Sequence, residues 1–234
     1  MKTMRKVIDW IADLVFPNRC AFCGEFIAWN KLACDKCVGE LEEVDFCPKC
    51  GKHHCECEKR SFSYDGCTIA YPYSGIVRKG VLALKYHNGF NTAKYLAPIL
   101  SERLKTFGFL NEADLITAVP MTNQRRRVTG YNQSEYIAKC ISKQIGLSCS
   151  FNLLGKRHTA PIQHELSAEE RVKAAKGAYF TLDDHADING KIIILCDDII
   201  TTGSTLSECA KVLKSAGAKK VYCAVAAGAD YDPQ

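Results

Sequence analysis

The sequence lacks any apolar run that approaches the roughly 20 residues needed to span a bilayer. Its first apolar stretch is interrupted by Asp9 and Asp13, which does not fit the uninterrupted apolar core of a secretory signal. Low-complexity tracts are also missing, and the only internal repeat is one of paired cysteines. These absences exclude the membrane-spanning and secreted classes, so we expect a cytoplasmic protein with thiols that are reduced or hold metal.

The sequence also has no large excess of charge of one sign, because the net charge is only +5 over 234 residues. Residues 1–57 carry eight Lys or Arg against nine Asp or Glu, and the remainder carries 23 against 17. Residues 1–57 therefore offer few unpaired cations to the phosphate backbone of a nucleic acid. The charge pattern therefore argues against residues 1–57 as the main nucleic-acid contact.

Cysteine, in contrast, is abundant: of 14 residues, eight lie between Cys20 and Cys57 and six are scattered from Cys67 onward. Two cysteines separated by two residues form a tight turn that aims both sulfurs at one ion, and two such turns complete a tetrahedron. Because four protein ligands leave no position for water, the ions should be structural zinc. The predicted ligands are Cys20, Cys23, Cys34 and Cys37 in one site and Cys47, Cys50, Cys55 and Cys57 in the other.

The second site is less regular than the first. Cys55 and Cys57 are separated by only one residue, so His53 or His54 is an alternative ligand to one of them. The sequence leaves this choice open.

The spacing of apolar residues divides the chain into three parts. Residues 1–18 contain a predicted amphipathic helix over Thr3–Phe16, residues 19–58 form the zinc-ribbon module, and residues 67–234 form the main domain after the polar linker Glu58–Gly66. In the main domain, strands are predicted at Cys67–Tyr73, Asp114–Val119, Lys191–Cys196 and Lys219–Ala226, and helices at Ile76–His87, Thr92–Phe107, Glu135–Ile145 and Ser204–Ala216. Strands that alternate with helices indicate an α/β fold with a mostly parallel sheet covered on both faces.

The most informative segment runs from Ile192 to Thr205. It is a buried strand followed by the adjacent carboxylates Asp197 and Asp198, and then by a loop of small residues that opens a helix. The loop comprises Thr201, Thr202, Gly203, Ser204 and Thr205. Its backbone N–H groups and hydroxyls, together with the helix dipole, suit a phosphate dianion. Since carboxylates cannot bind an anion but suit the vicinal hydroxyls of a sugar, the segment predicts a phosphorylated-ribose site; an ordinary helix-capping turn is the alternative.

This segment resembles the phosphoribosyl pyrophosphate (PRPP) signature of type I phosphoribosyltransferases. Over nearly its full length the chain resembles the ComF family, which comprises competence-associated phosphoribosyltransferase-like proteins with an N-terminal double zinc ribbon. The further matching segments are Leu84-Lys85-Tyr86, Val119-Pro120-Met121, Arg126 with Gly130-Tyr131-Asn132-Gln133, Arg157, Leu166-Ser167, Glu170-Arg171 and Gly177-Ala178-Tyr179. In one departure, Ala174-Ala175 stand where the family usually has Asn-Val. The resemblance implies the Rossmann-like type I phosphoribosyltransferase fold.

The resemblance also implies a pyrophosphate site at the turn that contains Pro120 and Met121. The cation run Arg125, Arg126 and Arg127 follows, with no acidic residue between Leu115 and Ser134. These arginines could close over pyrophosphate, lie on a solvated loop or clamp a nucleic-acid backbone. Lys85, Arg157 and Arg171 are further cation candidates, and Tyr131 is either a loop anchor or a stacking platform.

Two functions follow from the resemblance. The first is binding of Mg-PRPP, with possible transfer of phosphoribose to an unidentified nitrogen acceptor and release of pyrophosphate. The alternative is a non-catalytic module of DNA uptake that binds single-stranded DNA or senses PRPP, with the zinc ribbons contacting other competence proteins. No general base and no base-recognition segment stand out, so the sequence assigns neither an acceptor nor a catalytic residue.

Overall fold

The computed structural model describes residues 18–87, 89–157, 168–182 and 188–229. The predicted helix at Thr3–Phe16 lies outside the described residues. The strands are β1 (Gly66–Pro72), β2 (Leu115–Ala118), β3 (Leu154–Lys156), β4 (Tyr179–Thr181), β5 (Ile192–Ile200) and β6 (Lys220–Gly228). Four of them form a parallel sheet in the order β1-β6-β5-β2, while β3 and β4 form a separate antiparallel pair.

Helices cover both faces of the parallel sheet. They are α1 (Asp35–Gly39), α2 (Gly75–Tyr86), α3 (Phe90–Thr106), α4 (Asn123–Thr129), α5 (Gln133–Ile145), α6 (Ala168–Ala175) and α7 (Ser204–Ser215). Because successive strand residues point to opposite faces, Ile194 and Cys196 pack against α2, α3 and α5, whereas Ile193 and Leu195 pack against α7. The predicted parallel sheet with helices on both faces is confirmed.

Strand β5 is longer than the sequence predicted. The predicted strand ended at Cys196, but β5 continues to Ile200 and stays paired with β6 up to Gly228. Aspartate disfavours strands, but here the neighbouring strand offers a continuous backbone partner, and tertiary pairing overrides local propensity. Asp197 and Asp198 are therefore part of the strand and do not follow it.

Helix α4 and the β3–β4 pair were not predicted, and neither were the short helices α1 and α6. The arginine run lies on helix α4, so the interpretation of this run as a loop is wrong. Thr122 caps this helix, because its Oγ1 accepts a hydrogen bond from the Arg125 N–H at 3.3 Å. The β3–β4 pair joins segments more than 20 residues apart, a contact that no local pattern signals.

The first zinc ribbon packs on α2 and α3. Thr92 donates its buried hydroxyl to Ala21 O at 2.6 Å, and the Phe22 ring meets Tyr95 edge-on at 5.1 Å. Ala21 and Phe22 belong to the same apolar core as these helices. The predicted polar linker is also partly packed, since Tyr64 is 4% exposed. The domain boundaries at residues 58 and 67 stay predictions.

Candidate functional site

A cavity of about 590 Å³ opens where β2 and β5 end. Its lining includes both carboxylates of β5, the segment Thr201–Thr205, which we call the phosphate loop, and the start of the β2–α4 connection. The predicted site residues found there are Lys85, Pro120, Met121, Arg125, Asp197, Asp198, Thr201, Thr202, Gly203, Ser204 and Thr205. Folding thus brings most of the predicted set to one place, at the strand ends where α/β sheets place ligands.

The two carboxylates of β5 have different partners. Asp198 Oδ2 forms an ion pair with Lys85 Nζ at 3.0 Å, and both side chains are largely buried. Asp197 accepts a hydrogen bond from the Ser134 hydroxyl at 2.9 Å and is 8% exposed. Both partners come from helices on the same face of the sheet, Lys85 from the end of α2 and Ser134 from the first turn of α5.

Burial and charge shift the pKa values of these groups. Burial, and then the repulsion of Asp198, raise the pKa of Asp197 to about 7, against partly offsetting hydrogen bonds from the Asp198 N–H and Ser134. Burial lowers the pKa of Lys85, but attraction to Asp198 outweighs it, so the net shift is upward. Asp197 can thus hold a proton near neutral pH while Lys85 stays charged.

A pH-dependent stability follows from the raised pKa of Asp197. Between its unfolded value of 3.8 and its folded value of about 7, the folded protein binds more protons at this site than the unfolded chain. The stabilisation is present at low pH and lost as pH rises through 7. We expect the free energy of unfolding of the wild type, relative to Asp197→Asn, to fall by about 2 kcal/mol between about pH 5.5 and 8.

Urea unfolding of both proteins at the two pH values measures this change. Subtracting one protein from the other removes contributions common to both, including those of the cysteine clusters. A difference in unfolding free energy that stays constant with pH would show that Asp197 titrates normally in the folded protein.

The phosphate loop is built for an anion. Gly203 adopts φ +75° and caps α7 without a side-chain hydrogen bond. The Ser204 N–H donates a long hydrogen bond of 3.4 Å to Thr202 Oγ1, and the next N–H groups of the first turn have no intrahelical acceptor and can bind an anion. The hydroxyls of Thr202 and Ser204 lie 2.8 Å apart and also line the cavity. The loop therefore offers both backbone and hydroxyl donors to one phosphate group.

The arginine run is divided by its helical geometry. Consecutive residues on a helix point about 100° apart. Arg125 lines the cavity, Arg126 forms an ion pair with Glu135, and Arg127 is exposed. The three arginines therefore do not act as one clamp on the same anion.

Residues of the Gly130–Gln133 segment hold the cavity wall in place. The Tyr131 hydroxyl donates to Leu84 O, and the Gln133 side chain donates to Lys85 O at 3.2 Å. Asn132 donates to Val119 O at 3.0 Å and so ties α5 to the end of β2. Of the two alternatives for Tyr131, the structure supports the loop anchor.

Several cavity residues were missed by the sequence reasoning. Ser134 follows the matched Gly130–Gln133 segment, so its place next to that motif was an available signal. Lys156 reaches the cavity from the unpredicted strand β3, and burial lowers its pKa although Asp197 partly opposes this shift. Tyr73 and Tyr179 also line the cavity. Of the other predicted cations, Arg157 bonds to Gly177 O at 3.1 Å and is exposed.

The eight clustered cysteines form two groups, in each of which the four sulfur atoms lie within 4.8 Å of one another. Burial raises the pKa of Cys20, but backbone N–H groups outweigh it and bring this pKa down to about 6; Cys47 falls to about 7 in the same way. His53 instead places Nδ1 3.1 Å from Asp45 O. Four thiolates in a closed set fit structural zinc, with cysteine as every ligand of the second site.

Comparisons with known proteins agree with this architecture. Residues 132–233 match the phosphoribosyl transferase domain family, and residues 11–67 match the double zinc ribbon domain family. The chain thus combines a region that matches a double zinc ribbon with a region that matches a phosphoribosyltransferase-type domain. The predicted fold class is confirmed.

Several relatives are similar to this chain over nearly its full length. Competence protein F of Haemophilus influenzae is 27% identical, over 88% of this chain and 95% of its own. The DNA utilization protein YhgH of Salmonella typhimurium is 26% identical, over 90% and 97%. Competence protein ComFC of Streptococcus pneumoniae is 25% identical, over 94% of both chains. The resemblance to the ComF family that the motifs predicted is thus confirmed by relatives that match over nearly the full length.

Among solved structures, the allosteric regulatory enzyme of purine biosynthesis is similar over 62% of this chain and 30% of its own, at 18% identity and a TM-score of 0.41. This chain thus spans less than a third of that enzyme's length. Separately, within the described ranges no helix combines the length and the apolar character that crossing a membrane requires.

Proposed function

We propose that the cavity binds Mg-PRPP and that the protein transfers phosphoribose to a nitrogen acceptor with release of pyrophosphate. The observation that supports this most strongly is that two carboxylates and an anion-binding loop line the same cavity of about 590 Å³. A phosphorylated sugar needs both kinds of group at once, whereas a simple anion site would exclude the carboxylates.

Each part of PRPP has a matching group in this proposal. The phosphate loop takes the 5-phosphate, and Asp197 and Asp198 accept hydrogen bonds from the ribose hydroxyls. The connection that contains Pro120 and Met121 takes the pyrophosphate through backbone N–H groups, with Arg125 as a cation beside it. Lys85 neutralises Asp198 and keeps its carboxylate in place.

The transfer step breaks the bond between C1 of the ribose and the pyrophosphate oxygen, and forms a bond from C1 to the acceptor nitrogen. Pyrophosphate leaves with the electron pair, and the nitrogen loses a proton to solvent. Bound Mg²⁺ would neutralise part of the pyrophosphate charge. The protein's own contribution is to hold the ribose and place cations where negative charge develops.

Binding of single-stranded DNA is a second candidate, supported by the mouth of the cavity. Tyr86 is 55% exposed and Val128 84% exposed there, and Arg127 is exposed next to Val128. An exposed aromatic ring at the cavity mouth suits the stacking of bases, and an exposed cation on α4 suits the binding of a phosphate backbone. The names of the relatives, competence protein and DNA utilization protein, agree with such a role.

We further propose a cytoplasmic location, since thiolate ligands and free buried cysteines need a reducing compartment. We also propose that the first ribbon contacts partner proteins of DNA uptake. Phe26 and Trp29 are 62% and 65% exposed there, which is unusual for large apolar side chains.

Calorimetry and a pyrophosphate-release assay test these proposals together. We expect saturable binding of Mg-PRPP, and release of pyrophosphate only when a suitable base, nucleoside or short DNA is added. Binding without release for any acceptor would support a PRPP sensor and contradict the transferase. Absence of Mg-PRPP binding by the zinc-loaded protein would overturn the primary proposal.

The DNA arm of the experiment uses a short single strand at two salt concentrations. DNA binding predicts an affinity that falls as salt rises, by a smaller factor for Arg127→Ala than for the wild type. Equal salt dependence in the two proteins would remove Arg127 from the proposed DNA contact.

A further inference from the structure

The second zinc ribbon lies directly behind the phosphate loop, and Lys52 joins the two. The Lys52 side chain is buried, with 5% of the residue exposed, and its Nζ donates a hydrogen bond to Thr201 O. Its backbone closes the zinc knuckle, because the Cys47 N–H donates to Lys52 O at 2.9 Å. A residue fixed by the zinc site thus reaches the cavity wall.

The environment of Lys52 is unusual for a buried lysine, which normally has a carboxylate partner. No ion pair joins Lys52 to an acidic residue in the described ranges. Its ammonium instead donates a hydrogen bond to a neutral carbonyl of the phosphate loop. The contact between Lys52 and Thr201 is therefore not an ion pair, and its effect is to fix the conformation of the phosphate loop.

Peptide geometry shows what this contact does. In a trans peptide unit the C=O and the following N–H point in opposite directions within one plane. By holding Thr201 O on the ribbon side, Lys52 turns the Thr202 N–H away from the ribbon. Thr202 lines the cavity, so this rotation presents one of the donors that a phosphate needs.

A second contact joins the same ribbon to the same loop. Tyr64 donates its hydroxyl to Cys50 O at 2.7 Å and stacks on Phe62 at 5.0 Å. These two rings lie against Gly203, because a Cβ added there would be 2.9 Å from Phe62 and 3.1 Å from the Tyr64 hydroxyl. The ribbon thus holds Thr201 directly, and it supports Gly203 through the linker rings of Phe62 and Tyr64.

We propose that Lys52 is a positioning residue for the phosphate loop, and that the second zinc site, unlike the first, maintains the loop in its ligand-binding geometry. This inference rests on the proposed binding of PRPP. The first ribbon makes its contacts with α2 and α3, on the opposite face of the sheet from α7.

Lys52→Gln tests the positioning role, with Lys49→Gln as its matched control. Lys49 lies in the same knuckle but is exposed. We expect Lys52→Gln to keep its zinc, to exchange the amide hydrogens of residues 202–206 about tenfold faster without ligand, and to bind Mg-PRPP about tenfold more weakly. Amides of α3 should exchange as in the wild type, which a general loss of stability would not allow.

Removal of one ligand from each zinc site tests the difference between the ribbons. Cys55 and Cys23 are both exposed ligands, one in each cluster. We expect Cys55→Ser to change loop exchange and PRPP affinity as Lys52→Gln does, and Cys23→Ser to leave both within about twofold. Equal effects of the two cysteine variants would overturn the specific role of the second site.

The two readouts separate this inference from the proposed function. Failure of the wild type to bind Mg-PRPP would remove the proposed function, while loop exchange would still report whether Lys52 orders the loop. Unchanged loop exchange in Lys52→Gln would overturn the inference even where the wild type binds PRPP tightly.

Discussion

Replacing Asp198 by Asn is expected to weaken Mg-PRPP binding by about 100-fold and to lower the free energy of unfolding by about 3 kcal/mol. Both effects come from one side chain. The carboxylate is the proposed acceptor for a ribose hydroxyl, and it is also the ion-pair partner of buried Lys85 at 3.0 Å. The amide keeps the shape but removes the direct ion-pair partner of the buried Lys85 ammonium, which then has only the weaker attraction of Asp197. Calorimetry and urea unfolding measure the two effects separately.

A double variant distinguishes loss of binding from loss of stability. Lys85→Met combined with Asp198→Asn removes the lone cation, so stability should return toward that of the wild type. Binding should not return, because the ribose acceptor is still absent. Recovery of tight PRPP binding in the double variant would contradict a direct contact between Asp198 and the ligand.

Gly203→Ala is expected to produce the other large effect. The backbone φ of +75° disfavours any residue with a Cβ, and this Cβ would also lie 2.9 Å from the Phe62 ring. Tyr64 cannot easily move aside, since its hydroxyl is bonded to Cys50 O. We expect a loss of about 2 kcal/mol in stability and at least about a tenfold loss in PRPP affinity, because the loop must shift.

Gly146→Ala is the matched control for this substitution. Gly146 has a nearly identical φ of +77°, but nothing lies within 4 Å of an added Cβ. Gly146 lies at the C-terminal end of α5, whereas the N-terminal end of this helix lines the cavity. Only the backbone cost of about 1 kcal/mol should appear, without a change in PRPP affinity. Equal losses of affinity for the two variants would show that the Gly203 environment has no special role.

Local patterns in the sequence were sufficient for the elements with strong signals. The buried strand before Asp197, the helices at 75–86 and 204–215, and the cysteine knuckles all have short-range signatures of spacing or hydrophobicity. The phosphate loop and the adjacent carboxylates were also evident, since both depend on residue types at fixed separation. These signals can be detected in the sequence because they depend only on residues that are close to one another along the chain.

Elements that depend on distant partners could not be predicted in this way. The extension of β5 to Ile200 requires β6 as a backbone partner, and β3 becomes a strand only because β4 pairs with it. The hydrogen bond from Ser134 to Asp197 joins residues 63 positions apart. Lys156 also depends on a distant partner, since only the pairing of β3 with β4 brings it to the cavity.

By itself, the sequence determined the resemblance to the ComF family, the ligands expected for the first zinc site and the residues of the candidate ribose and phosphate site, while it left one ligand of the second zinc site open. The tertiary structure alone decided how they act together. It divided the arginine run, paired Lys85 with Asp198 and placed the second ribbon behind the phosphate loop through Lys52 and Tyr64. The physical reason is that residue identity and spacing specify local chemistry, whereas burial and charge pairing arise between segments that meet only on folding.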